Sequence, residues 1–152
     1  MELKVAEIEL TYRHGSDLTL LPVVKNADTA FELFRKVWNE GKMELIEEAK
    51  LMLLNNRGAV LGICNLSGGG SSGTIVDPKI VFAAAIKGNA SSIILAHNHP
   101  SGGLQPSRED IFLTKKLQQA AEFLGIRLLD HLIITSTAYA SILEHIFEEG
   151  GL

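Results

Sequence analysis

Cysteine is nearly absent. Cys64 is the only one in 152 residues, which excludes an internal disulfide framework and a cysteine-rich zinc site. Long apolar runs are missing as well: none approaches the roughly 20 residues that span a bilayer. The opening Met1-Glu2-Leu3-Lys4-Val5-Ala6-Glu7 lacks the basic start and apolar centre of a signal peptide. Positive charge is not in excess. Against 18 Asp and Glu stand 14 Lys and Arg, a net charge of −4, so no broad basic field awaits a phosphate backbone. The densest basic pair, Lys115 and Lys116, falls on the polar side of an expected helix. Nucleic-acid binding through this chain alone and membrane insertion are therefore not expected, and a cytoplasmic setting is the default.

What is present is a globular composition, 46% hydrophobic and 21% charged, in a length that suits one domain with a true core. Residues 4–12 alternate apolar and polar and predict a half-buried strand, whose open edge would suit a second copy of the chain. Asp28 can cap a helix in which Ala30, Phe31, Phe34, Val37 and Trp38 form one stripe, with Gly41 as its stop. Apolar strands are expected at Leu51–Leu54 and Val60–Leu66, joined by the hairpin residues Asn55-Asn56-Arg57-Gly58. Gly68, Gly69, Gly70 and Gly73 make a loop, either a flap over a cleft or a long connection. It lacks the Gly-Lys-Ser/Thr ending of a phosphate loop.

Asp77-Pro78 then caps and starts a helix through Lys87, ended by Gly88. Ser91–Ala96 is almost wholly apolar and predicts a central, covered strand. A helix over Ser107–Leu124 carries apolar residues at 113, 117, 120, 121 and 124, and Gly125 closes it. Further strands are expected at Arg127–Leu129 and Leu132–Thr135, and a last helix at Tyr139–Phe147. Strands and helices mixed in this way predict an α/β (α+β) sandwich on a central sheet.

Chemistry concentrates in one segment. His97 and His99, at i and i+2, point the same way only on extended backbone; on a helix they would diverge by about 200°. The apolar run ahead of them supplies that backbone. Pro100-Ser101-Gly102-Gly103 turns the chain, and Ser107 starts a helix with Asp110 in its first turn, leaning back toward the helix N-terminus. Two imidazoles and one carboxylate thus face each other. Three protein ligands leave a fourth tetrahedral position for water, the mark of a catalytic rather than a structural zinc site. Ser107-x-x-Asp110 is also a capping-box pattern, and the two roles are compatible.

The same segment carries a resemblance. His97-x-His99, seven residues, Ser107, two residues and Asp110 resembles the JAMM signature of JAB/MPN metalloenzymes. Leu95-Ala96-His97-Asn98-His99-Pro100-Ser101-Gly102, Pro106-Ser107 and Leu129-Asp130-His131-Leu132-Ile133-Ile134 look like the bacterial RadC family, from roughly Glu47 onward. The resemblance implies a JAB/MPN-like, cytidine-deaminase-like three-layer sandwich with a mixed central sheet flanked by helices. It implies one zinc ion on His97, His99 and Asp110, with Ser107 hydrogen-bonding the reacting oxygen or the water, and a glutamate upstream as general acid/base. Glu47 and Glu48 compete for that last role. Glu47 aligns without a gap and shares a strand face with Ala49, Leu51 and Leu53, whereas Glu48 shares one with Lys50 and Met52, which Lys50 suggests is the wetter face. Glu47 is the choice. Residues 43–152 are then the metallohydrolase domain, and residues 1–42 an N-terminal extension of strand plus helix packed on it. That extension lacks the paired short helices and glycine hairpins of a helix-hairpin-helix segment.

Among the remaining candidates, His131 is expected beside the ligands or in the core rather than as a fourth ligand, and Asp130 could orient an imidazole. His14 and His145 are expected to be ordinary, and Cys64 a small buried apolar residue. The expected activity is zinc-dependent hydrolysis of a peptide or isopeptide bond in a peptide or protein substrate. A metal-binding scaffold and a DNA-repair accessory are the alternatives. A zinc deaminase would need a second cysteine and is excluded.

Overall fold

The computed structural model describes residues 4–68 and 76–150. Its frame is a five-stranded sheet made of β1 (Glu48–Leu54), β2 (Val60–Gly68), β3 (Ser92–Asn98), β4 (Arg127–Ile134) and β5 (Tyr139–Ser141). The strand order is β2-β1-β3-β4-β5. All neighbours are antiparallel except β3 and β4, which run parallel. A parallel pair needs a crossover, and the helix α4 (Arg108–Leu124) provides it.

Helices cover both faces, giving the mixed α/β sandwich the sequence predicts. On one face α1 (Ala27–Val37) sets Ala30 and Phe34 against Met52, Leu54, Ile94, Ala96, Leu132 and Ile134. On the other, α3 (Pro78–Lys87) and α4 bring Val81, Phe82, Ala85, Leu117 and Ala121 against Leu51, Leu53, Ile93 and Leu95. Alternate residues of β1 and β3 thus feed two separate cores, which is why β3 is buried along its whole length. Each such Leu or Ile contributes about 1.5–3 kcal/mol of burial. A smaller cluster of Ile133, Ile142 and Ile146 seats α5 (Ile142–Glu148).

Several expectations hold. The β1–β2 hairpin turns through Asn55-Asn56-Arg57-Gly58, with the Asn55 side chain accepting from Arg57 N and Ala59 N and Gly58 at φ +76°. Asp77 caps α3 with Pro78 at its start, and Gly125 closes α4 in the left-handed region at φ +69°.

Others are corrected. Residues 4–12 form no strand: they pair with nothing, and Val5, Ile8 and Leu10 are exposed. Alternation supplies a face but not a partner, and the isolated bridge made ahead of α1 among the described residues is Val23 to Ala59, well after residue 12. The cap of α1 is Asn26, not Asp28, because Asn26 and Thr29 close a reciprocal capping box. Gly41 does not stop α1. That helix ends at Val37, where Trp38 turns extended, and Gly41 lies inside the short helix α2 (Glu40–Met43). Residues 127–134 make one strand rather than two pieces, since the polar side chains of Asp130 and His131 both find partners on neighbouring elements, Ser141 and Thr114 respectively. The final segment begins with β5, and Ser141 caps the helix that follows. Most of the glycine-rich loop, residues 69–73, lies outside the described residues.

Candidate metal centre

Strand register builds the first half of the centre. Ala49 on β1 is paired with His97 on β3, so both side chains share the face of the α3–α4 layer. Glu47, two residues before Ala49, falls on that same side, just ahead of β1. His99 follows one residue beyond β3, its N–H donating to Ile134 O at 3.1 Å. The chain then turns with Gly102 at φ +84°, a conformation that favours glycine. This turn brings Gly103 O to 2.8 Å from His99 Nδ1. A carbonyl only accepts, so Nδ1 carries the proton and Nε2 is left to face the centre.

The second half comes from the start of α4. Ser107 Oγ accepts from Asp110 N at 3.0 Å, and Ser107 N donates to Asp110 Oδ2 at 2.9 Å. This capping box fixes the carboxylate without using it up. Asp110 Oδ1 stands 3.4 Å from His97 Nε2, and Oδ2 stands 3.6 Å from His99 Nε2. The two Nε2 atoms are 3.0 Å apart. Glu47 joins them: one ligand atom each from Glu47, His97 and His99 lie within 4.8 Å of one another.

The donor set suits a cation site. Two imidazole nitrogens face each other at hydrogen-bond distance, flanked by two carboxylates, and bare lone pairs in that arrangement repel unless a positive charge lies between them. The electrostatics agree. Burial raises the Asp110 carboxyl, but the facing His97 and His99 imidazoles and the Ser107 N–H outweigh it and hold the group well below the usual range, so it stands ionised opposite the rings. The facing Asp110 carboxylate raises His99 despite burial. Oxygen and nitrogen donors without thiolate suit a divalent ion of the zinc class.

Glu48 falls on the opposite face. Its N–H donates to Asn98 Oδ1 at 2.7 Å, and its Oε1 is buried with no hydrogen-bond partner among the described residues. That face is not the wetter one. Lys50 is buried, its Nζ bonded to Asn65 Oδ1 and standing 5.0 Å from the centre of the Trp38 ring, so its charge is met inside the protein rather than by water. Asp130 does not orient an imidazole. It points to the α1 side, accepting from Ser141 Oγ at 2.7 Å and His131 N at 2.7 Å, and burial raises its carboxyl. His131 lies behind the centre, with its ring on His97, and burial holds its imidazole well below the ordinary range.

His14 ties the N-terminal segment to Leu61 O at 2.6 Å, and His145 pairs with Glu149 at 3.4 Å on α5. Cys64 is half-buried against the second core. Asn98 and Thr114 went unnoticed in the sequence, although both are polar residues set among apolar positions, which is a signal of buried partners.

Comparisons with known proteins meet this geometry. Residues 24–147 match the family described as RadC-like JAB domain. A UPF0758 protein of Flavobacterium johnsoniae is 40% identical over 92% of this chain and 60% of its own length. One of Syntrophomonas wolfei is 36% identical over 90% of the chain and 59% of its own, and one of Clostridium kluyveri 47% over 64% and 43%. The chain thus spans about three-fifths of the relatives that it matches along nearly its whole length. Among the described residues no helix is long and apolar enough to cross a membrane. With a family match that takes in α1, the whole sheet and every residue of the centre, the chain belongs to the RadC family of JAB domains.

Proposed function

We propose that this chain is a zinc-dependent metallohydrolase of the JAMM type, cleaving a peptide or isopeptide bond in a peptide or protein substrate. The observation that carries the reading is the convergence of His97 Nε2, His99 Nε2 and the capped Asp110 carboxylate, with a second carboxylate, Glu47, beside them. His97, His99 and Asp110 would hold the ion. When bound, it would supply Lewis acidity and bring a water's pKa toward neutrality.

The chain's own groups do the rest. Asp110 is fixed by the cap at the head of a long helix, which suits a ligand. Glu47 comes from an irregular residue and suits a group that moves a proton. It takes a proton from the attacking water and delivers it to the leaving nitrogen as the carbon–nitrogen bond breaks. Ser107 Oγ uses a lone pair for the cap, so its O–H remains free to donate to the carbonyl oxygen as charge gathers there. A cytoplasmic setting and the catalytic unit at residues 43–152, with the N-terminal segment packed on it, complete the proposal.

The test is a zinc titration of chelator-stripped protein alongside hydrolysis of a library of peptide and isopeptide substrates. The unaltered chain is expected to bind one ion and His97→Ala to lose it. A chain that binds no zinc-class metal, or binds it equally as His97→Ala, overturns the reading.

A further inference from the structure

His97 presents Nε2 to the centre, while its Nδ1 faces inward, 2.8 Å from His131 Nε2. Beyond it, His131 Nδ1 lies 2.7 Å from Thr114 Oγ1, and Thr114 Oγ1 lies 2.7 Å from Asp110 O. Thr114 is fully buried, and His97 and His131 nearly so. The chain of contacts starts at the main chain of one proposed ligand and ends on the ring of another, passing through α4, β4 and β3.

Its direction is fixed from one end. Asp110 O is a carbonyl and can only accept, so the single hydroxyl hydrogen of Thr114 must lie on that contact. Thr114 Oγ1 is then an acceptor toward His131, and His131 Nδ1 carries a hydrogen. A ring buried this deeply, with a histidine and a hydroxyl as its two partners, has no counter-charge against its nitrogens and stays neutral. Its Nε2 is therefore bare, and His97 Nδ1 must supply the hydrogen between them. We propose that Thr114 and His131 are positioning residues, a one-way hydrogen-bond relay that holds His97 in the tautomer with Nδ1 protonated and Nε2 free for a metal.

The relay rests on the proposed metal centre for its purpose but not for its existence. Removing the hydroxyl would release it. With valine at 114, His131 Nδ1 has no acceptor, so the ring can shift its proton to Nε2 and donate to His97. His97 would then carry its own proton on Nε2, where the metal should bind.

The experiment is nitrogen NMR of the metal-free chain, recorded about two pH units above the ordinary imidazole pKa, with zinc titrations of the unaltered chain, Thr114→Ser and Thr114→Val. The unaltered chain should show His97 protonated on Nδ1. Thr114→Ser should keep that tautomer and bind zinc within about threefold of the unaltered chain. Thr114→Val should populate the Nε2-protonated form and bind roughly 10–100-fold more weakly. His97 protonated on Nε2 in the unaltered chain overturns the relay, as does Thr114→Val matching Thr114→Ser in tautomer and affinity. The tautomer is read without metal, on the unaltered chain. Absence of zinc binding would therefore remove the proposed function while leaving the relay to be judged separately, even if Thr114→Val does not fold.

Discussion

The two faces of the β1–β3 ladder bury polar groups in opposite ways. On the α1 face, Asn98 donates to Met43 O and Ile46 O at 2.7 and 2.9 Å and accepts from Glu48 N, while Lys50 is held by Asn65 beside Trp38. Most of that polarity is satisfied within the protein. On the other face the hydrogen bonds stop at the outer edge of the rings, leaving Nε2 of His97 and His99 and the Asp110 carboxylate turned toward one another. Full pairing builds a scaffold, whereas pairing on one side only leaves donors for a ligand. Two adjacent glutamates, Glu47 and Glu48, land one on each face, and substitutions there test whether the division is functional.

The largest effect is expected at Glu47. Glu47→Gln keeps shape and burial but removes the proton carrier, and hydrolysis should fall by about 10²–10⁴-fold. Zinc affinity should change far less, because the proposed ligands are untouched. Steady-state rates and a zinc titration on the same preparation check this. Loss of metal together with activity would make Glu47 a ligand instead.

Next comes Asn98→Ala. It removes three hydrogen bonds at a fully buried side chain and leaves main-chain groups at residues 43, 46 and 48, buried or half-buried, without their partner. The expected cost is about 3 kcal/mol, read by chemical denaturation. Because these contacts also hold the segment that carries Glu47, the rate should fall while zinc binding persists. The scaffold face would thus be shown to support the other one. Lys50→Met should be milder. It conserves the length that fills the space beside Trp38, and stability should change by less than about 1 kcal/mol with the rate unaltered.

How much of this was legible in the sequence follows from distance along the chain. The proposed ligands lie within fourteen positions, so strand parity and helix capping, both local rules, are enough to bring His97, His99 and Asp110 together. Parity also separated Glu47 from Glu48. His131 is expected beside the ligands or in the core, but the relay was hidden. Thr114 meets His131 across the packing of α4 on the sheet, and His131 meets His97 through the parallel β3–β4 pairing, which no local spacing records. Asn98 is a different omission. Between two histidines that share one face of a strand, the middle residue must face the opposite layer, and a polar side chain there signals buried partners. The strand expected at residues 4–12 failed for the converse reason: its pattern is local, but a strand exists only where an edge accepts it.

The smallest effect should be at Glu48, and it separates the faces most sharply. Glu48→Gln differs from Glu47→Gln by one position, and both remove one charge and keep one side-chain shape. Glu48 Oε1 is buried without a partner among the described residues, so the native carboxylate there is imperfectly satisfied. An amide carries no charge to desolvate, and stability should stay level or rise by up to about 1 kcal/mol. Its main-chain N–H still donates to Asn98, so the segment ahead of β1 keeps its place. Hydrolysis and zinc affinity should therefore remain within about twofold, below the roughly 0.5 kcal/mol that surface substitutions commonly produce. Should Glu48→Gln instead abolish hydrolysis while Glu47→Gln leaves it intact, register would have assigned the wrong face. The proton carrier would then have to reach the centre from beneath α1.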